Sequence, residues 1–173
     1  MEIPEIIRNR RSIRAFSKRE LPEEAAEVLV RAACMAPSAG NLQPWEFIAV
    51  RNPETKKRLA YAAYGQSFIA EAPLVFVVCA VPGRSSWRYG KRGADLYCIQ
   101  DTAASIENLL LTATANGLGG CWVGAFDEAE AAKAVEAPEG VRPVAIIPIG
   151  YPAETPSPPP RRPVKEVLHL ERY

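Results

Sequence analysis

The sequence predicts an α+β sandwich folded as one domain, and three observations carry that prediction. Two helical patterns in succession precede the first strand, which does not suit a regular doubly wound sheet with one helix after each strand. One segment, Pro73 to Val81, is apolar on both faces and belongs at the centre of a sheet. The 173 residues, 48% of them hydrophobic, suffice for one substantial core, and no repeat or break in composition marks a second domain.

Each element has a local reason. Pro4 opens a short helix on which Ile3, Ile6 and Ile7 share a face, and this helix delivers Arg10 to Arg14 at its end. Pro22 suits the first position of a second helix, with Glu23 and Glu24 in its electropositive first turn. Ala25, Val28, Leu29, Ala32 and Ala36 then keep helical spacing until Pro37 stops it. Phe47 to Val50 reads as a strand. Asn52-Pro53 starts a third helix that ends near Gly65. After the central strand, residues 83–93 read as a Gly-flanked exposed loop or lid, basic and aromatic.

A long helix runs from about Ala94 to Asn116, with Ile99, Ala103, Ile106, Leu110 and Ala113 on one stripe and Asn116-Gly117 as its C-cap. Leu109, Leu110 and Leu111 are consecutive, so its apolar residues exceed one face. That predicts burial on two sides and a subunit interface. Cys121 to Phe126 reads as the third strand. Asp127-Glu128-Ala129-Glu130 reads as a capping box for a helix ending before Pro138, and Val144 to Ile149 as the fourth strand. Pro152 to Pro163 is proline-rich and extended, and the tail to Tyr173 suits a short strand or a turn of helix. A stiff arm over residues 152–173 has a use if it crosses to a partner subunit.

Composition narrows the function. A net charge of +1 gives no reason to expect a nucleic-acid or membrane surface, although basic residues cluster at 8–14, 84–92 and 161–165. Cys34, Cys79, Cys98 and Cys121 are scattered, and His169 is the only histidine, so no metal site is expected. Such cysteines suit reduced, buried positions in a cytoplasmic protein, and the N-terminus reads as amphipathic, unlike a signal peptide.

Two segments suggest a ligand. Arg10-Arg11-Ser12-Ile13-Arg14 places three guanidiniums and a hydroxyl within five positions, a cradle for phosphate. Pro37-Ser38-Ala39-Gly40-Asn41-Leu42-Gln43-Pro44-Trp45 gathers small residues, two amides and an indole, able to lie on a planar heterocycle and bond its edge. Together they point to a flavin or another nucleotide. Gly117-x-Gly119-Gly120 is not a dinucleotide fingerprint, because it follows a helix and opens a strand.

These two segments, followed in order by Gly117-Leu118-Gly119-Gly120-Cys121-Trp122-Val123-Gly124-Ala125-Phe126 and Ile147-Pro148-Ile149-Gly150-Tyr151-Pro152, resemble the FMN-dependent nitroreductase family in its small form. The resemblance implies a mostly antiparallel sheet flanked by helices and an intertwined homodimer with FMN at the subunit interface. It also implies NADH or NADPH as electron donor. It places Arg10 and Ser12 on phosphate or ribityl oxygens and Arg14 at the pyrimidine side of the ring, with Arg11 beside them. Ser38, Ala39 and Asn41 would contact FMN, the Pro37-Ser38-Ala39 part coming from the opposite subunit, with Gln43 and Gln66 as further amide contacts. A backbone N–H at Gly124 or Ala125 would point at flavin N5, and one of Arg161 and Arg162 would reach the phosphate. Trp87 and Tyr89 are substrate-lid candidates. Trp45 is expected in the core and Asp101 as a packed or capping acid.

No side chain is expected to act as catalytic acid or base, because the flavin carries the redox work. The implied activity is ping-pong NAD(P)H oxidation coupled to reduction of a nitroaromatic, quinone or similar electron-poor acceptor. Reductive dehalogenation, flavin breakdown, a non-catalytic FMN carrier or redox sensor, and a flavin-free interaction module are the alternatives.

Overall fold

Four strands form one sheet: β1 Trp45–Val50, β2 Leu74–Ala80, β3 Gly119–Gly120 and β4 Arg142–Gly150. Their spatial order is β1-β2-β4-β3 and every neighbouring pair is antiparallel. The helices are α1 Glu5–Asn9, α2 Ala25–Ala33, α3 Pro53–Ala62, α4 Phe68–Glu71, α5 Pro82–Arg92, α6 Cys98–Ala115 and α7 Glu128–Ala134. The computed structural model describes residues 2–173.

The sheet separates two hydrophobic layers. Leu74, Phe76 and Val78 of β2 and Ala145, Ile147 and Ile149 of β4 pack on Leu29 and Ala33 of α2 and Ile106, Leu109, Leu110 and Ala113 of α6. The alternate residues Val75, Val77, Cys79 and Ile146 face the other way, onto Leu59 and Ala62 of α3, Ile69 of α4 and Ala131 of α7. All seven residues of β2 are buried, as a strand apolar on both faces requires. This is the α+β sandwich with an antiparallel sheet that the sequence led one to expect.

Local chemistry sets the ends. The Asn52 side chain accepts from the N–H groups of Glu54 and Thr55, with Pro53 at the first helical position. Lys56, buried, donates from Nζ to the carbonyl of Ala72 (2.7 Å), holding the end of α4. Asp127 accepts from Glu130 N–H (2.9 Å) to start α7, while its own N–H goes to Ala62 O (2.8 Å), so only half of the capping box forms.

Several elements differ from expectation. The third strand is not Cys121 to Phe126. Its ladder with β4 stops at Gly120, because the next residue meets Pro148, whose carbonyl accepts from Cys121 N–H (3.3 Å) but which has no N–H to return. Only Val123 pairs again, bridging Ile146. Residues 83–93 are not a loop. Pro82 opens α5, which runs to a break at Gly90 (φ 56°), and a π-helical turn over Gly93–Tyr97 leads into α6. The short helix α4 carried no clear periodic signal. Burial of α6 on two sides is met within the chain by the sheet and α2, so it does not by itself require a partner. Ile3 and Ile7 of the N-terminal face are exposed, as are Val164, Val167, Leu168 and Leu170 of the tail, whose one regular piece is a 3₁₀ turn at Val164–Glu166.

Two glycines at β3 permit close approach. A Cβ on Gly119 would lie 2.4 Å from Ile13 Cγ1, and one on Gly120 would lie 2.5 Å from Ile149 Cδ1 and 3.0 Å from Pro148 O. Gly120→Ala should therefore lower the unfolding free energy by about 1–3 kcal/mol through overpacking, read by urea titration. An unchanged midpoint would show that the β3–β4 contact has slack.

Candidate functional site

The N-terminal basic motif leaves α1 and joins the sheet. Ser12 bridges Gly120 in parallel, with Ile13 N–H donating to Gly120 O (3.0 Å), and Ile13 is buried. Phe16 bridges Pro152, Ser17 N–H donates to Tyr151 O (2.9 Å) and Ala153 N–H to Ala15 O (2.9 Å). Glu154 completes the junction: its carboxylate accepts from the backbone N–H groups of Arg14 and Ala15, the second at 3.1 Å. The start of the C-terminal arm is thereby fastened alongside the motif.

Between them lies a groove of about 380 Å³ with Arg10, Arg11, Ser12 and Arg14 on one side and Pro156, Ser157, Pro159 and Arg161 on the other. Arg10 is held by Glu107 of α6 (Nε to Oε1, 3.5 Å), and Arg11 turns Nη1 back to Arg8 O (2.7 Å) and Arg10 O (2.9 Å). The structure separates the two tail arginines. Arg161 lines the groove, whereas Arg162 turns away to Glu166, with Nε 3.6 Å from its carboxylate and Nη2 donating to its carbonyl (3.2 Å).

Gly124 and Ala125 lie farther along the same extended segment. Four residues at strand rise separate Gly120 from Gly124, roughly 13 Å. A Cβ on Gly124 would meet nothing closer than Trp122 Nε1 at 3.9 Å, so this backbone is open to a ligand. Gln66 donates from Nε2 to Ala125 O (3.3 Å) and Ala63 O (3.0 Å), which ties its amide to this backbone. Among the described residues the N–H groups of Gly124 and Ala125 meet no acceptor.

The Pro37 to Gln43 loop stands apart and lines no part of the arginine groove. Gly40, Asn41 and Gln43 have φ of 57°, 55° and 47°, an uncommon run of left-handed residues. Two bonds hold it: Ser38 Oγ accepts from Gln43 N–H (3.0 Å), and Ala39 N–H reaches both oxygens of Asp101 on α6 (3.2 Å each). Pro37, Asn41 and Gln43 are exposed, whereas Pro44 and Trp45 enter the core. Trp87 is exposed, and Tyr89 packs edge-on against Tyr97, with ring centroids 5.3 Å apart.

Of the residues that shape this region, Glu154 and Arg88 were not singled out in the sequence, and Asp101, expected as a packed or capping acid, does cap the loop at Ala39. Glu154 carried no pattern at all. Asp101 sits in an apolar helix, where a lone acid was a usable signal, although its partner was not readable. Arg88 lay in a segment read as a loop. None of the three buried cysteines suits nucleophilic work: burial pushes the thiols of Cys98 and Cys121 up, and that of Cys79 up to about 12.

Comparison with known proteins identifies the family. The sequence model of the Nitroreductase family matches residues 7–66 and 60–151. The chain belongs to the nitroreductase family. It is similar, at 37% identity over 88% of its length and 87% of the relative's, to an Archaeoglobus fulgidus protein provisionally named NADH dehydrogenase/NAD(P)H nitroreductase. It is 28% identical to the FMN reductase (NADPH) of Bacillus subtilis, covering 98% of this chain and 73% of that one. The structure of NADPH:FMN oxidoreductase from Vibrio harveyi complexed with NAD+ superposes with a TM-score of 0.89 at 26% identity, over 98% of this chain and 76% of that one.

Asp101 generates a test. Burial raises its carboxyl above the ordinary value of 3.8, with the Ala39 N–H acting the other way. Because the folded pKa is the higher, this group's contribution to stability is fully present below the unfolded value and is lost as pH rises through the folded one. Asp101→Asn retains an acceptor for Ala39 and should flatten that fall in unfolding free energy measured across the acid range. Asp101→Ala should cost about 1–3 kcal/mol at neutral pH by leaving a half-buried N–H unpaired. Equal stability of the two variants would remove Asp101 as the anchor of the loop.

Proposed function

We propose that the chain is an FMN-dependent NAD(P)H oxidoreductase acting as a homodimer by ping-pong exchange, with a nitroaromatic, quinone or similar electron-poor compound as acceptor. The observation that carries this reading is one continuous strip. Arg10, Arg11, Ser12, Arg14 and Arg161 surround a groove at one end, and the open Gly124–Ala125 backbone lies at the other. A flavin bound there would supply the redox chemistry between the nicotinamide and the second substrate.

The residues fit that group. The guanidiniums and the Ser12 hydroxyl suit the phosphate and the polar ribityl chain. The roughly 13 Å between Ser12's partner Gly120 and Gly124 leaves room for a ribityl chain together with part of a ring. Free N–H groups at Gly124 and Ala125 suit a ring nitrogen, and Arg14, expected at the pyrimidine side, instead lines the groove with the phosphate-end arginines. Arg161, not Arg162, is the tail residue assigned to the phosphate.

Two features support a second copy. The Pro37 to Gln43 loop, expected at the ring, does not line the groove of its own protomer. The tail beyond Pro156 is exposed and presents Val164, Leu168 and Leu170 without cover. In the dimer these surfaces meet the neighbouring subunit.

The test is an anaerobic absorbance spectrum of the protein with FMN, before and after one equivalent of NADH or NADPH. The expected result is a flavin band that bleaches and returns on adding a quinone or nitroarene, from a species with twice the 18.9 kDa chain mass by light scattering. Bound flavin that never bleaches would leave a carrier, and no bound flavin would end the proposal. Arg161→Ala should weaken FMN retention in equilibrium dialysis by about tenfold, the scale of one charge-assisted contact. Arg162→Ala should leave retention near wild type, and the reverse order would exchange the two assignments.

A further inference from the structure

One charged surface remains unused by the reading above. α5 carries Arg84, Arg88, Lys91 and Arg92 and no acid. Three of these are engaged. Arg84 pairs with Glu46 and donates to Gln43 O (3.1 Å) and Trp45 O (3.2 Å). Lys91 pairs with Asp95, and Arg92 Nε donates to Tyr97 Oη (3.1 Å). Arg88 meets no carboxylate among the described residues, and its guanidinium carbon stands 5.5 Å from the Tyr89 ring centroid.

Position makes this residue informative. A Cβ on Gly40 would lie 2.8 Å from Arg88 Nη1 and 2.7 Å from Tyr89 Oη, so the free guanidinium and the phenol both abut the left-handed part of the Pro37 to Gln43 loop. The platform beneath is tightly packed. Ser85 is fully buried, and a Cβ on Gly93 would lie 2.3 Å from Ser85 O. Tyr97 braces Tyr89 at an interplanar angle of 77°, and Trp87, two residues away, is 82% exposed. An exposed, uncompensated guanidinium beside the Tyr89 ring suits a ligand that is both planar and anionic.

We propose that Arg88, with Tyr89, is a specificity subsite for the carboxylate or phosphate of a planar substrate that exchanges electrons at the flavin. This rests on the placement of the Pro37 to Gln43 loop at the flavin proposed above. The anion has two possible sources, an acidic aromatic acceptor or the 2′-phosphate of NADPH, and the guanidinium serves either by the same pair of hydrogen bonds.

The experiment compares kcat/KM of the holoenzyme for 4-nitrobenzoate against its neutral isostere 4-nitrobenzamide, and for NADPH against NADH. Arg88→Ala should lower one of these two ratios by about tenfold, with Arg88→Lys retaining part of it. A fall in the first ratio assigns the subsite to an acidic acceptor, and should be matched by weaker 4-nitrobenzoate quenching of tryptophan fluorescence. A fall in the second assigns it to the donor phosphate. Arg31→Ala, on α2 and paired with Glu27, serves as the distant control. Both ratios unchanged by Arg88→Ala would overturn the subsite while leaving the flavin reading intact. A wild-type protein that reduces no nitroarene or quinone with either donor would overturn both, and this is visible before any variant is made.

Discussion

The structure depends on a close approach of backbones at Gly119, Gly120 and Gly150. A side chain at the first would enter Ile13, at the second Ile149, and at the third Phe16 and Pro73, each at under 3 Å. Their absence lets the segment after α1, the short edge strand and the end of β4 lie side by side. From that contact follows the placement of Ser12 opposite Gly120 and of Phe16 opposite Pro152. The basic motif is fixed to the sheet, and the arm is fixed to the motif. Pro148 then ends the ladder after Gly120, so the chain from Cys121 to Ala125 stays extended with its N–H groups partly unspent.

Charge around the groove is distributed unevenly. Arg10 has Glu107, and Arg11 is satisfied by two carbonyls, so both are positioned before any ligand arrives. Glu154 is a second nearby acid besides Glu107, yet its carboxylate is turned onto the backbone N–H groups of Arg14 and Ala15. It holds the arm in place without neutralising the guanidiniums. The groove thus keeps a positive balance suited to a phosphate, although the whole chain carries only +1.

What was legible in the sequence follows from what is local. The central strand was readable because burial on both faces requires an unbroken apolar run, and α3 because Asn52, Pro53 and Gly65 mark its ends. The basic motif and the Pro37 loop were readable as candidate ligand-binding segments because each is contiguous. The edge strand was misjudged because its length is set by Pro148, a residue nearly thirty positions away with no N–H to offer. α5 was hidden by Gly83 and Gly90, which lower helical propensity, although Pro82 marked its start. Contacts formed across the fold, such as Glu154 with Arg14, Asp101 with Ala39 and Arg88 with Gly40, leave no spacing in the chain to read.

The basic motif and the Pro37 loop share one support. Arg10 and the Pro37 loop are both anchored to α6, through Glu107 and Asp101. Six residues of helix place these anchors about 9 Å apart along the axis and about 120° apart around it. The two segments leave α6 in different directions, and under the proposed function a flat ligand at the arginine groove would lie away from the loop of the same protomer, which lines no part of that groove. A second copy related by a two-fold axis removes the difficulty, since each loop can then cover the ligand held by the other chain. In that arrangement α5 travels with the loop, because Arg88 and Tyr89 abut Gly40. The surface proposed to choose the substrate and the surface proposed to hold the phosphate would then belong to different chains, and α6 with its two acidic anchors would be the element that sets the distance between them.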